Sequence, residues 1–271
     1  MIGRAVSLMA GGLMAVTLTG CMASTQQEVQ MGQQYSAQIN QQLPIVRDAE
    51  VVRYINALGN SIAKHVDDRH LTWQFQVVNS REVNAFAVPG GFIYVNRGLI
   101  ERSQNMSQLA GVLGHEIAHV TQRHSMKQMR DAERANAGMS LACVLTNVCQ
   151  SQVVSTAVNV AGGAVFAGFS RSDESEADRV GIQHVVSAGI DPRGVPQMFR
   201  ILLDERRSSP GSVNQFFATH PLEEDRIAST TAQIQQIPAQ RRQGLRTDDQ
   251  AFQSFKRRLM ALPAAPATSS R

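Results

Sequence analysis

The chain has 271 residues, 43% of them apolar and 18% charged, with a formal net charge of +4. That length suits one domain with a real core, or one domain plus a tail, and the apolar content argues against disorder of the whole chain. The positive charges are scattered rather than interleaved with aromatic residues in a stripe, which argues against a nucleic-acid binder and for a solvated basic surface.

Residues 1–20 read as a targeting segment rather than as fold. Arg4 supplies a positive start, and Ala5 to Leu18 is apolar and small but too short for a comfortable membrane span. The segment ends Leu18-Thr19-Gly20-Cys21, which resembles the bacterial lipobox, with cleavage before Cys21 and lipidation of its sulfur. Met22 stands where lipoproteins kept in the inner membrane carry aspartate. The expectation is therefore a lipoprotein anchored in the outer membrane and facing the periplasm of a Gram-negative bacterium, attached to the membrane and not spanning it.

Residues 24–42 are polar and Gln-rich, with Val29, Met31, Tyr35 and Ile39 at helical spacing and Pro44 as a stop. Asp48 is an N-cap for a second helix, in which Val51, Val52, Ile55, Leu58, Ile62 and Val66 form one apolar stripe. His65 and His70 read as solvated. From Leu71 the period becomes two: Trp73, Phe75 and Val77 alternate with polar residues in a half-buried strand. A second extended piece, Val83 to Val88, ends at Pro89-Gly90-Gly91, and Phe92 to Val95 is a third. Proline at the end of the second piece suits a sheet edge.

A capping-box-like pair, Asn105 and Gln108, opens a helix expected to run to about Arg130, with Gly111 and Gly114 packing against the sheet. Residues 135–169 are small and apolar. They read either as a buried hairpin or as a mobile cover beside the site hinged at Gly162-Gly163, and the breaks in the run exclude a membrane span. Cys143 and Cys149 are candidates for a disulfide in an oxidising compartment. Along a continuous helix they would be separated by about 9 Å of rise, so a bond requires a turn near Thr146-Asn147; otherwise they are two buried thiols.

Ser170 to Asp178 opens another helix that ends at Gly189. A further helix covers Gly194 to Arg206, and a Ser/Pro/Gly loop spans Ser208 to Ser212. A helix through Ile234 follows Thr219-His220-Pro221, and a last one covers Asp248 to Leu262. Residues 263–271 read as a disordered tail.

Within the central helix stands His115-Glu116-Ile117-Ala118-His119. Four residues apart, the two imidazoles leave one helix face together and can hold a zinc ion, with Glu116 beside them as a base for water. A catalytic zinc needs a third ligand. The metzincin pattern would put a histidine at 125 and a glycine at 122, where Ser125 and Gln122 stand; His124, one residue off, is expected to face elsewhere. The other solution is a carboxylate. Glu174 and Asp178 share a helix face while Glu176 points away, so Glu174 is the candidate ligand. Asp178, one turn on, could fix the tautomer of a ligating histidine.

His115-Glu116-x-x-His119, Glu174-x-x-x-Asp178, Asn84-Ala85-Phe86-Ala87-x-Pro89-Gly90-Gly91 and Thr219-His220-Pro221 with Arg226 together resemble the M48 family of zinc metallopeptidases, in the family's order from about Gln30 to Ile234. With the lipobox, the resemblance is to the bacterial periplasmic lipoprotein branch, without the tetratricopeptide-repeat domain of some members. It implies an α+β, mostly helical, zincin-like fold with a small sheet beside the active-site helix. The expected organisation is a lipoprotein signal at 1–20, a peptidase domain at 21–240, and a C-terminal helix and tail at 241–271. The resemblance implies one Zn²⁺ held by His115, His119 and Glu174, with Glu116 as general base and Asp178 assisting as proton donor. It also places His220 near the metal as oxyanion donor or reversible fourth ligand; from the residues alone, a histidine before proline at a helix start reads equally as a structural cap of that helix. Asn84, Ala85 and Phe86 would pair with an extended peptide. Polypeptides are then the substrates, and cleavage of unfolded or misassembled envelope proteins the expected function. The alternative is a chaperone or assembly factor with a closed, latent zinc site. Whether Arg226 pairs with an active-site carboxylate or lies on the surface stays open at this point.

Overall fold

A computed structural model describes residues 23–146, 168–221 and 224–264, with side chains throughout except over 136–146. The lipobox with Cys21, Cys149, the Gly162-Gly163 hinge and the tail beyond 264 lie outside the described residues, as does the side chain of Cys143.

The first helix, α1 (Thr25–Gln42), begins at a true capping box: Ser24 accepts from Gln27 N–H while the Gln27 side chain accepts from Ser24 N–H. Helix α2 (Ala49–Ala63) starts where Asp48 accepts from Glu50 and Val51. Its stripe buries Val51, Ile55, Leu58 and Ile62, whereas Val52 is exposed. Three strands follow: β1 (Gln74–Val78), β2 (Ala85–Val88) and β3 (Phe92–Asn96). Their spatial order is β1-β3-β2, with β1 parallel and β2 antiparallel to β3. Strand β2 joins β3 through Pro89-Gly90-Gly91, where both glycines take positive φ (82° and 97°), a turn side chains resist. β2 therefore lies at the sheet edge, as the proline implied.

β3 is buried along its whole length, and its alternating side chains divide the interior. Ile93 and Val95 join the main core with α2 and the helix below the sheet; Phe92 and Tyr94 face α1 with Ile39, Val78 and Val88. Tyr94 keeps its hydroxyl bonded to Ser36 Oγ at 2.8 Å, so the second cluster buries no orphan oxygen there.

After the short α3 (Arg97–Arg102), α4 (Met106–Thr121) forms the centre of the molecule, buried at nearly every position. Leu109, Leu113 and Ile117 are fully buried, each worth about 1.5–3 kcal/mol of transfer free energy. Two expectations change here. First, α4 does not continue to Arg130: it ends at Thr121, Arg123 takes φ 58°, and a new helix α5 (His124–Thr146) departs. Second, Gly111 and Gly114 pack on helices, not on the sheet. Gly111 meets Val195 at the start of α7 (Gly194–Ser208), and Gly114 meets Gly181 of α6 (Arg171–Ser187). A Cβ on Gly181 would lie 3.0 Å from Gly114 C and His115 N, so the two backbones touch. α6 starts at a second capping box, Ser170 with Asp173.

The expected loop over Ser208–Ser212 is instead the start of α8 (Pro210–Thr219). Proline sits at its first position, where the missing N–H costs nothing and φ is already helical. α9 (Glu224–Gln236), a 3₁₀ turn (Ala239–Arg242) and α10 (Gln250–Ala261) complete the described chain. α10 shares the main core through Phe252, Phe255 and Leu259. Arg97 ties its end down by donating to the carbonyls of Met260, Leu262 and Pro263. Among the described residues, no helix is long and apolar enough to cross a membrane.

Two measurements follow from this packing. Gly181→Ala gains helix propensity of up to about 1 kcal/mol but pushes backbone against backbone. Overpacking of about 1–3 kcal/mol should prevail, giving a net loss of roughly 1–2 kcal/mol in urea unfolding. The second concerns His184 of α6, which is buried with an Nδ1 that has no hydrogen-bond partner among the described residues. Burial, only partly countered by its backbone bond at Gly114, lowers its pKa to about 4. The unfolded imidazole binds its proton near 6.5, so folding stability should fall as pH drops from about 6.5 to 4, by about 3 kcal/mol in total. His184→Gln should remove that portion of the slope in unfolding curves taken across this range.

Candidate active site

The site forms where α4, α6 and the α8–α9 junction meet. The Gly114–Gly181 contact brings α4 and α6 close, so His115 and His119 on one helix face Glu174 on the other. His115 Nε2 lies 3.0 Å from His119 Nε2 and 3.5 Å from Glu174 Oε2; His119 Nε2 lies 3.3 Å from Glu174 Oε1. His220 follows α8. Its backbone N–H caps the helix by donating to Phe216 O, and its Nδ1 lies 2.9 Å from Glu174 Oε1. The backbone thus serves as a cap while the side chain enters the site. His115, His119, Glu174 and His220 can each offer one ligand atom, all within 4.8 Å of one another, and all four are buried.

Three converging nitrogens and a carboxylate fit a metal ion. Tetrahedral N and O donors at about 2.0–2.2 Å from a common ion stand roughly 3.3 Å apart, close to the 3.0–3.5 Å separations of the His115, His119 and Glu174 atoms. Glu116 is fully buried beside them, and neither of its carboxylate oxygens has a hydrogen-bond partner among the described residues. His220 Nε2 is 3.6 Å from Glu116 Oε1. Burial pushes the Glu116 carboxyl up, with His220 and His115 pulling it part of the way back. An orphaned, high-pKa carboxylate is costly to bury and suited to taking a proton.

Charge balance in the cluster is supplied from α9. Arg226 donates Nη1 to Glu174 Oε2 at 2.6 Å and holds both oxygens of Asp178, Nε to Oδ2 at 2.8 Å and Nη2 to Oδ1 at 2.7 Å. Asp178 Oδ1 is also 3.0 Å from His115 Nδ1, on the ring edge opposite the donor cluster. The open question on Arg226 thus resolves to the carboxylate pair, with its guanidinium stacked 4.6 Å over Phe199. Burial would raise Glu174 and Asp178; the histidines and Arg226 outweigh it and hold both below the usual carboxylate range. Burial would lower His115, but Glu174 and Asp178 outweigh it and raise its pKa to about 10.

Asn84 immediately precedes β2 and Ala85 and Phe86 open it; none of the three is among the four donor residues. Asn84 and Phe86 line a groove of about 370 Å³ between α1, the sheet edge and α8, together with Tyr35, Ile39, Gln215 and Thr219. Phe86 stacks on Tyr94 with centroids 4.9 Å apart.

His124 and Phe169, which spacing alone did not bring in, also contact the site. His124, expected to face elsewhere, turns back so that its Nδ1 lies 2.9 Å from His119 Nδ1. Glu176 does point away from the Glu174–Asp178 face, and its Oε2 meets His124 Nε2 at 3.3 Å. The backbone reversal at Arg123 is what a helical projection cannot anticipate. Phe169, the last residue of the apolar segment, stacks on His119 with centroids 3.9 Å apart and planes at 22°.

Residues 49–234 match Peptidase family M48, and the chain belongs to that family. Among its relatives is the beta-barrel assembly-enhancing protease of Escherichia coli, 34% identical over 229 residues, covering 82% of this chain and 46% of that protein. The chain thus spans about half the length of that relative. The mitochondrial metalloendopeptidase OMA1 of Arabidopsis thaliana is 33% identical over 162 residues, 58% of this chain and 31% of that one. The metalloprotease YcaL of Escherichia coli is 29% identical over 171 residues, 63% of each chain.

The raised His115 has a measurable consequence. With Glu174 and Asp178 favouring its protonated form up to about pH 10, the metal-free site holds a proton that a cation must displace. Metal binding at pH 7–9 should release about one proton, with apparent affinity rising up to tenfold per pH unit. Titration calorimetry in buffers of different ionisation enthalpy measures the released proton directly.

Proposed function

We propose that the protein is a zinc-dependent endopeptidase that cleaves unfolded or misassembled envelope proteins at the periplasmic face of the outer membrane, to which Cys21 tethers it. The observation that carries this reading is the meeting of His115, His119 and Glu174 donor atoms beside a fully buried Glu116 that has no hydrogen-bond partner among the described residues. Membership of family M48 supports the peptidase over a chaperone with a latent site, since a latent site needs ligands but has no use for Glu116.

In this reading His115, His119 and Glu174 hold the zinc, which when bound acts as a Lewis acid toward a peptide carbonyl and water. Glu116 takes a proton from water and delivers it to the leaving amine. Asp178 orients the His115 ring from its far edge, and Arg226 keeps Asp178 and Glu174 ionised and in place. His220 serves as oxyanion donor or as a reversible fourth ligand that closes the site; its place among the four donors supports both roles. An extended segment would add to the outer edge of β2 at Asn84, Ala85 and Phe86. Backbone pairing of that kind selects flexible chains more than particular sequences. The envelope assignment draws on the lipobox and on the name of the beta-barrel assembly-enhancing relatives.

Zinc content and casein cleavage test the assignment. Glu116→Gln should keep its zinc and lose cleavage by about 10²-fold or more; undiminished cleavage in that variant would sink the mechanism. His220→Ala separates the two roles of that residue, because loss of a fourth ligand raises activity and loss of an oxyanion donor abolishes it.

A further inference from the structure

His124 is 1% exposed and its two ring nitrogens meet partners of different kinds. Nδ1 faces His119 Nδ1 at 2.9 Å, and Nε2 faces the Glu176 carboxylate at 3.3 Å. A contact between two imidazole nitrogens holds only one proton, so one ring donates and the other accepts. Two arrangements are open. If His119 carries its proton on Nδ1 and donates to His124, its Nε2 lone pair is directed at His115 Nε2 and Glu174 Oε1. If His124 donates instead, the His119 proton moves to Nε2 and the lone pair is lost to the site.

The far end of His124 chooses between them. A carboxylate accepts and does not donate, so Glu176 favours a proton on His124 Nε2. That leaves His124 Nδ1 as the acceptor and His119 Nδ1–H as the donor. With His124 neutral, the row Glu176–His124–His119 then has one consistent assignment, with the free lone pair of His119 at the donor cluster. Phe169 stacked on the His119 face limits tilting of the ring, so the hydrogen bond sets the remaining freedom.

The backbone is built to bring His124 there. Arg123 adopts φ 58°, a left-handed conformation that costs a non-glycine residue about 1–2 kcal/mol. Its side chain is fastened on both sides: Nε lies 2.9 Å from the buried Glu28 Oε2, and Nη2 donates to Ala23 O. Glu28 also takes Arg69 Nη1 at 2.9 Å. Helix α1 thus holds the reversal that turns His124 back onto His119.

We propose that His124, backed by Glu176, is a positioning residue that fixes the tautomer and orientation of His119 for metal binding. This rests on the zinc reading of the site above. The test uses the full chain, stripped of metal and titrated with Zn²⁺ alone against a colorimetric chelator, beside urea unfolding of the metal-free protein. His124→Phe fills the same space without an acceptor and should weaken Zn²⁺ affinity by about 10–100-fold. His124→Asn keeps an acceptor near the Nδ1 position and should retain affinity to within about threefold, while His124→Gln keeps only the far end and should lose as much as Phe. Glu176→Gln, half-exposed and gentle on folding, should weaken binding less but in the same direction. A space-filling role predicts instead that affinity follows metal-free stability across the series. Wild-type protein that binds no Zn²⁺ would overturn the reading of the site and this inference with it. Firm wild-type binding with His124→Phe unchanged, or with Asn as weak as Phe, would overturn the inference alone.

Discussion

The active site depends on one contact without side chains, the touching of α4 and α6 at Gly114 and Gly181. Helices that meet backbone to backbone lie closer than helices separated by Leu or Val. Here the closeness is spent one residue along α4 and two turns back along α6, where His115 and Glu174 come within hydrogen-bonding range. The side chains it brings together are buried, so their charges interact in a low-dielectric interior where both attraction and desolvation are large.

A buried cluster holding Glu116, Glu174 and Asp178 is stable only if positive charge is brought to it. Arg226 supplies part, reaching from α9 to both Asp178 oxygens and to Glu174. His115 supplies more when no cation is present, as its raised pKa reflects. A metal ion and a proton are thus competitors for one electrostatic vacancy. Glu116, left without any hydrogen-bond partner among the described residues, is the exception to this compensation. An uncompensated carboxylate beside two that are paired is where chemistry, rather than stability, explains the arrangement.

Local signals translated well into elements. Asp48 and Ser170 cap helices as their side chains dictate, the change of period at Leu71 marks the sheet, and Pro89 falls on the edge strand. The misreadings share a cause. Spacing carried α4 on to Arg130, but Arg123 reverses the chain in a conformation that an arginine does not advertise and that Glu28, far away in sequence, maintains. Gly111 and Gly114 announced a close approach without naming the partner, which is a pair of helices and not the sheet. The loop assigned at Ser208–Ser212 opens a helix because proline at the first position is a start as readily as a break.

Sequence alone determined the donors that one helix can present. His115 and His119 share a face by the helical period, Glu174 and Asp178 share another, and Glu116 lies beside the first pair. These are properties of spacing within a single element. Tertiary structure decided everything that required two elements to be placed relative to each other: Arg226 on both carboxylates, the His220 side chain turned inward while its backbone caps α8, and His124 behind His119. Such meetings are set by packing across dozens of residues and by a strained reversal held from α1. No local period encodes them.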